Sequence, residues 1–244
     1  MTASNIPIVF LHGWAQSQQV WYQQRALFPD ALFLNLPGHG GAADAPLDTW
    51  VDTIAAQLPE HPCLLVGWSL GGMLAMQIAT AFPERIAALA LISTTPRFKA
   101  SHEWPHGSSD ELFEGFRQAL SSGSPKALNR FFALMLHGDA ITRSDYNTIA
   151  KAAVNRKHRV SQSGLELGLA LLEQLDLRST ATEITQPTLL MHGDSDAVIP
   201  VQAAHWLAKQ CASQQQFFHN CGHAPFLTQA TAFNQTLHTW WQQQ

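Results

Sequence analysis

Short apolar runs alternate along the chain with stretches of helical spacing. Ile6-Pro7-Ile8-Val9-Phe10-Leu11 and Leu32-Phe33-Leu34 are such runs, and each empties into a glycine-bearing turn, His12-Gly13-Trp14 and Pro37-Gly38-His39-Gly40. Runs of this length between turn signals read as buried strands. A helix from about Thr49 to Leu58 leads to the apolar run Cys63 to Gly67, and a second helix, Met73 to Phe82, is stopped by Pro83. Ile86 to Ser93 and Thr188 to His192 are further strands. They are followed by a helix over Gln202 to Cys211, a strand over Gln216 to His219 and a terminal helix reaching Trp241. Strands alternating with helices predict a parallel, doubly wound α/β sheet.

The rhythm breaks between residues 97 and 179, where strand-like runs give way to amphipathic stretches. That interval is expected to form a helical cap inserted into a core made of residues 1–96 and 180–244. Within it Leu128, Phe131, Phe132 and Met135 fall at i, i+3, i+4 and i+7, one apolar helical face. Core packing accounts for most of such a face, and some of these side chains are expected to line a ligand pocket as well.

At 244 residues the chain can hold one α/β domain with an insertion and a large core. With 13% charged and 46% hydrophobic residues and a net charge of −4, neither disorder nor nucleic-acid binding is indicated. No apolar run approaches a membrane span, and the start of the chain lacks the pattern of a signal peptide, so a cytoplasmic, monomeric protein is expected. Cys63, Cys211 and Cys221 form an odd set without metal-ligand spacing and read as buried, reduced thiols.

The chemistry starts at Gly67-Trp68-Ser69-Leu70-Gly71, between a predicted strand and a predicted helix. Glycines on both sides of a serine in that context mark a nucleophile elbow, a sharp turn that lifts the hydroxyl off the sheet end. A serine hydroxyl is a weak nucleophile on its own and needs a base, itself oriented by an acid. Two later loops supply candidates. His192-Gly193-Asp194-Ser195-Asp196 offers Asp194 and Asp196, and Cys221-Gly222-His223-Ala224-Pro225-Phe226 offers His223 beyond the last predicted strand. Of the twelve histidines most are bland, and His12 and His39 are expected to hold loop backbone. The oxyanion of a tetrahedral intermediate needs donors, for which the backbone N–H groups of Leu70 and Trp14 are the candidates.

With His12-Gly13-Trp14, Gly67-Trp68-Ser69-Leu70-Gly71-Gly72, Gly193 to Asp196 and Gly222 to Phe226 in place, the chain resembles the α/β-hydrolases over its full length. The resemblance implies an α/β-hydrolase fold, a mostly parallel doubly wound sheet with a helical cap. It also implies a triad of Ser69, Asp196 and His223, with Asp194 left as a turn residue, and no metal or organic cofactor. Trp14, Trp68, the His-Ala-Pro-Phe run from His223 and the cap segments Glu103-Trp104-Pro105, Arg130 to Leu134 and Gly164-Leu165-Glu166 narrow it. In these the chain is similar to the pimeloyl-[acyl-carrier protein] methyl ester esterase family of biotin synthesis. That likeness implies substrate contacts from Trp14, Trp68, Ser69, Leu70 and His223, and from Phe131, Phe132, Ala133, Leu134 and Met135 of the cap. Met135 departs from the family, which often carries a polar, glutamine-like residue there.

Charge adds an independent pointer. Residues 126–159 carry Lys126, Arg130, Arg143, Lys151, Arg156, Lys157 and Arg159 against Asp139 and Asp145, a net +5 that leaves −9 for the rest of the chain. A solvated basic face is the plain reading. On the lid of an acidic protein the cluster also suits an acidic acyl-carrier protein, with Lys126, Arg130 and Arg143 as its contacts. A general short-chain carboxylesterase would share the triad without needing this face. A C–C bond hydrolase, a perhydrolase or a ligand receptor on the same scaffold also stays open, whereas a haloalkane dehalogenase would need an aspartate where Ser69 stands.

Overall fold

A computed structural model describes residues 6–121, 125–155 and 157–244, without the side chains of residue 119 and of residues 125–128. Six strands, β1 (Ile8–Leu11), β2 (Leu32–Leu34), β3 (Cys63–Trp68), β4 (Ile86–Ile92), β5 (Thr188–Gly193) and β6 (Gln214–Phe218), form one sheet in the order β2-β1-β3-β4-β5-β6. Every pairing is parallel. Helices α1 (Trp50–Ala55) and α2 (Leu70–Ala81) flank β3 in the chain, while α8 (Val201–Gln210), α9 (Pro225–Thr228) and α10 (Ala230–Trp241) follow the last two strands. Between β4 and β5 lie α3 (Asp110–Ser121), α4 (Pro125–Met135), α5 (Arg143–Ala153), α6 (Gln162–Gln174) and α7 (Arg178–Glu183).

Burial explains the two kinds of strand. All six positions of β3 are buried, as are all six of β5, so a strand covered on both faces reads as an unbroken apolar run. At the sheet edge, β6 begins with exposed Gln214, Gln215 and Gln216 and buries Phe218. The sequence places this strand at Gln216 to His219. The observed strand starts two residues earlier because ladder pairing of Gln214 with Leu189 needs only backbone groups, whatever the side chains. Polar side chains on that edge also guard it against pairing with another chain.

Strand order fixes where a ligand can sit. From β1 the chain moves outward to β2, then returns to place β3 on the opposite side of β1 and continues away from it. Loops leaving adjacent strands on opposite sides of such a switch open a crevice at the carboxyl ends of the strands. The crevice here lies between His12-Gly13-Trp14, after β1, and Ser69, after β3. Among the described residues no helix is long and apolar enough to cross a membrane, and no group of His, Cys, Asp and Glu is placed to hold a metal ion.

Candidate active site

Ser69 has φ 54° and ψ −120°, a left-handed conformation that costs a non-glycine residue about 1–3 kcal/mol and persists only where its surroundings dictate it. They do. The Ser69 N–H donates to Ile92 O (2.9 Å), and its carbonyl accepts from the N–H of Gly72 (2.9 Å) and the Thr94 hydroxyl (2.7 Å). Leu70 opens α2 immediately afterwards. Gly71 is required because a Cβ there would stand 2.5 Å from His12 O and 2.7 Å from Leu11 O. The elbow helix is thus pressed against the end of β1, which brings the His12-Gly13-Trp14 loop alongside Ser69. Among the described residues neither the Leu70 N–H nor the Trp14 N–H finds an acceptor within the protein. Leu70 is one of the orphan donors at a helix start.

His223 is fully enclosed, and its Nδ1–H donates to Asp196 Oδ2 at 2.8 Å. Its Nε2 is buried and has no protein partner among the described residues, so the unprotonated ring nitrogen is the free one. Trp68, next to the serine, donates its indole N–H to the His223 carbonyl (2.9 Å) and lies 5.4 Å from the imidazole, centroid to centroid. Asp196 receives the N–H groups of Val198 (2.8 Å) and Ile199 (2.9 Å) on Oδ1. Burial alone would raise the Asp196 carboxyl. Its pairing with His223, its neighbour His192 and the Ile199 N–H overcome that and hold it below the usual carboxylate range. Asp194 points elsewhere, to the exposed His219 (2.9 Å) and the Ser195 hydroxyl.

The two loop histidines are structural. His12 joins Gly13 O through Nδ1 (2.8 Å) and accepts the Leu36 N–H on Nε2 (3.1 Å), while His39 joins Pro37 O (2.8 Å) and accepts the Ala15 N–H (3.3 Å). Burial lowers His12 to about 3 and His39 to about 4, so both are neutral.

Helices between β4 and β5 meet the loop after β1 in an aromatic cluster. Trp14 donates its indole N–H to Leu165 O of α6 (2.9 Å) and packs against Phe116 of α3 (5.5 Å) and Phe131 of α4 (5.2 Å). Phe116 is absent from the sequence-based set, since no motif marks it and only its place beside Phe131 (4.8 Å) reveals it. Three expected contacts take a different form. Trp68 is sealed among Trp21, Phe226 and His223, so it braces the histidine loop instead of facing a ligand. Ala133 is exposed on the outside of α4. Met135 is fully buried and meets the site through its carbonyl, which accepts the His223 N–H (2.8 Å). Phe132 is buried beside Tyr146, and Leu134 is half-buried. Arg130 and Arg143 are exposed, as are Lys151, Lys157 and Arg159. The side chains of Lys126 and Leu128, and all of Arg156, lie outside the described residues.

An all-parallel switch-point sheet carrying a strained serine between strand and helix defines the α/β-hydrolase class, and the model of the alpha/beta hydrolase fold family matches residues 6–230. The chain is 36% identical over 232 residues to the pimeloyl-[acyl-carrier protein] methyl ester esterase of Aromatoleum aromaticum, covering 91% of this chain and 92% of that protein. To the protein of the same name from Nitrosomonas europaea it is 34% identical, covering 93% and 92%. The chain belongs to this esterase family within the α/β-hydrolases. Solved structures share the fold. An esterase from Exiguobacterium antarcticum superposes with a TM-score of 0.82 at 23% identity over 98% of this chain and 92% of that one. A bromoperoxidase from Bacillus anthracis does so with 0.83 at 22% over 99% and 93%.

Proposed function

We propose that this protein is a serine carboxylesterase that hydrolyses the methyl ester at the distal end of a pimeloyl chain carried by acyl-carrier protein, a step of biotin synthesis. The relatives' shared name supports the substrate. The observation that carries the chemistry is His223, whose Nδ1 is committed to Asp196 while its buried Nε2 has no protein partner among the described residues and its ring packs against Trp68, the residue before Ser69. Ser69 Oγ attacks the ester carbonyl as His223 Nε2 takes its proton. The Leu70 and Trp14 N–H groups receive the oxyanion, and His223 returns the proton to the departing methoxide, releasing methanol. Water, deprotonated by the same nitrogen, then cleaves the acyl-serine ester and frees the terminal carboxylate. Asp196 stays ionised throughout and holds the imidazole in the tautomer that both steps need.

The carrier's own thioester is also open to attack, so selectivity has to come from presentation. The apolar box of Trp14, Phe116 and Phe131 suits a methylene chain. The basic cap suits the carrier. Arg143 is the first residue of α5, where its charge meets the positive end of a helix dipole and gains nothing for stability, which favours a role in binding an acidic partner. Replacing Ser69 by Ala removes one hydroxyl and is expected to lower kcat roughly 10⁴- to 10⁶-fold with an unchanged unfolding midpoint. Turnover near the wild-type rate by the purified variant would defeat the mechanism.

A further inference from the structure

Asp196 Oδ2 has a second neighbour. His192, on β5 and four residues before Asp196, is 1% exposed, and its Nε2 lies 3.3 Å from Asp196 Oδ2 and 3.0 Å from Ile199 O. Both neighbours are acceptors, so Nε2 is the nitrogen that carries the proton. Oδ1 is already filled by the N–H groups of Val198 and Ile199. The oxygen that His192 approaches is the one bound to His223.

We propose that His192 is a positioning residue for the hydrolysis: its Nε2–H, hydrogen-bonded to the Ile199 carbonyl and 3.3 Å from Asp196 Oδ2, sets the rotation of the carboxylate through the contact of its dipole and draws charge from the oxygen that faces His223. The proposal rests on the triad reading given above. Charged and titratable groups on several elements face this pair. They are His223 on the loop after β6, His205 on α8, and Asp139 on the loop after α4, which bears on Asp196. Burial above all keeps His192 neutral, against the pull of Asp196, and His223 and His205 add to the burial effect. A neutral donor polarises Oδ2 without cancelling the carboxylate's charge, so Asp196 still holds the imidazole. Loss of that donor concentrates negative charge on Oδ2 and favours the protonated imidazole opposite it.

The test compares kcat/KM against pH on a small soluble ester for the wild type, His192→Phe and His192→Gln. In His192→Phe the acid limb is expected to move to higher pH by roughly half a unit or more, a fraction of what a hydrogen bond to a charged group is worth. His192→Gln, which keeps an N–H near the position of Nε2, is expected to restore the wild-type limb. An unmoved limb in the Phe variant, or a Gln variant displaced as far as Phe, would overturn the proposal and leave His192 as packing. Nitrogen NMR of the wild-type histidine rings needs neither variant. It should find His192 as the neutral Nε2–H tautomer at about pH 8, and an Nδ1–H tautomer there would also overturn it. That readout is independent of turnover, so it stays distinct from a failure of the triad, which surviving activity in Ser69→Ala would reveal.

Discussion

Asp196 and Asp194 differ by two positions and face different partners. Asp196 is enclosed and bonded to His223 at 2.8 Å, whereas Asp194 pairs with a histidine that is 85% exposed. Asp196→Asn is therefore expected to lower kcat roughly 10³- to 10⁴-fold, because the amide cannot hold the Nδ1–H tautomer. Asp194→Asn loses an exposed pair worth at most about 1 kcal/mol and should leave kcat nearly unchanged. Steady-state rates on a p-nitrophenyl ester decide the ranking, and the reverse order would mean that the acid has been misassigned. The serine, the two aspartates and His223 were legible as a spacing of short motifs, because each sits in a turn whose residue types are dictated by backbone geometry. His192 was not, since a histidine inside an apolar strand carries no mark of what its ring meets across the loop. Trp68 misled in the other direction: adjacency to Ser69 in the chain says nothing of its side chain, which points away into the core behind His223.

At the level of elements, the end of α4 grips the loop after β6 that carries His223. Met135 O takes the His223 N–H, the Ala140 N–H reaches Asn220 O (3.3 Å), and Asp139 accepts the Thr228 hydroxyl (2.6 Å). Gly138 makes the turn that allows this, at φ +91°, with space for a Cβ only 2.7 Å from Ser195 O. Gly138→Ala is expected to cost at least about 1 kcal/mol of stability, and to lower kcat as the acid and histidine loops are pushed apart. Denaturant titration and initial rates check it together, and lost stability with unchanged kcat would mean that the cap does not hold the histidine. The apolar periodicity of α4 predicted a buried face, and Phe131, Phe132 and Met135 are buried. What periodicity could not supply was the partner of that face, so Phe116 and the contact of α6 with Trp14 emerged only from the packing.

Across the whole molecule, alternating runs were enough to anticipate a parallel sheet, because a strand buried on both faces needs a continuous apolar stretch. Strand order was beyond that reading, and with it the crevice that joins the first loop to the elbow. The buried histidines give the assembly a pH signature. With His12 held at about 3 and His39 at about 4, the folded state stays unprotonated where the unfolded chain, near 6.5, binds protons. Stability is thus full above about pH 6.5 and falls as the pH drops below it, by roughly 2 kcal/mol per histidine at pH 5. Urea midpoints at pH 7 and pH 5 test the sign, and equal midpoints would contradict the burial of these rings.

The central claim, a carrier-linked methyl ester presented to Ser69 by a basic cap, is tested most directly by methanol release. The measurement compares kcat/KM for pimeloyl-carrier methyl ester with that for free monomethyl pimelate, in low salt and in about 1 M salt, where screening shortens to about 3 Å. The account predicts a higher kcat/KM for the carrier-linked ester at low salt, an advantage that shrinks with salt and with charge reversal at Arg130 and Arg143, while a small neutral p-nitrophenyl ester is unaffected. Equal kcat/KM for the two esters at low salt would contradict it and leave a general short-chain carboxylesterase.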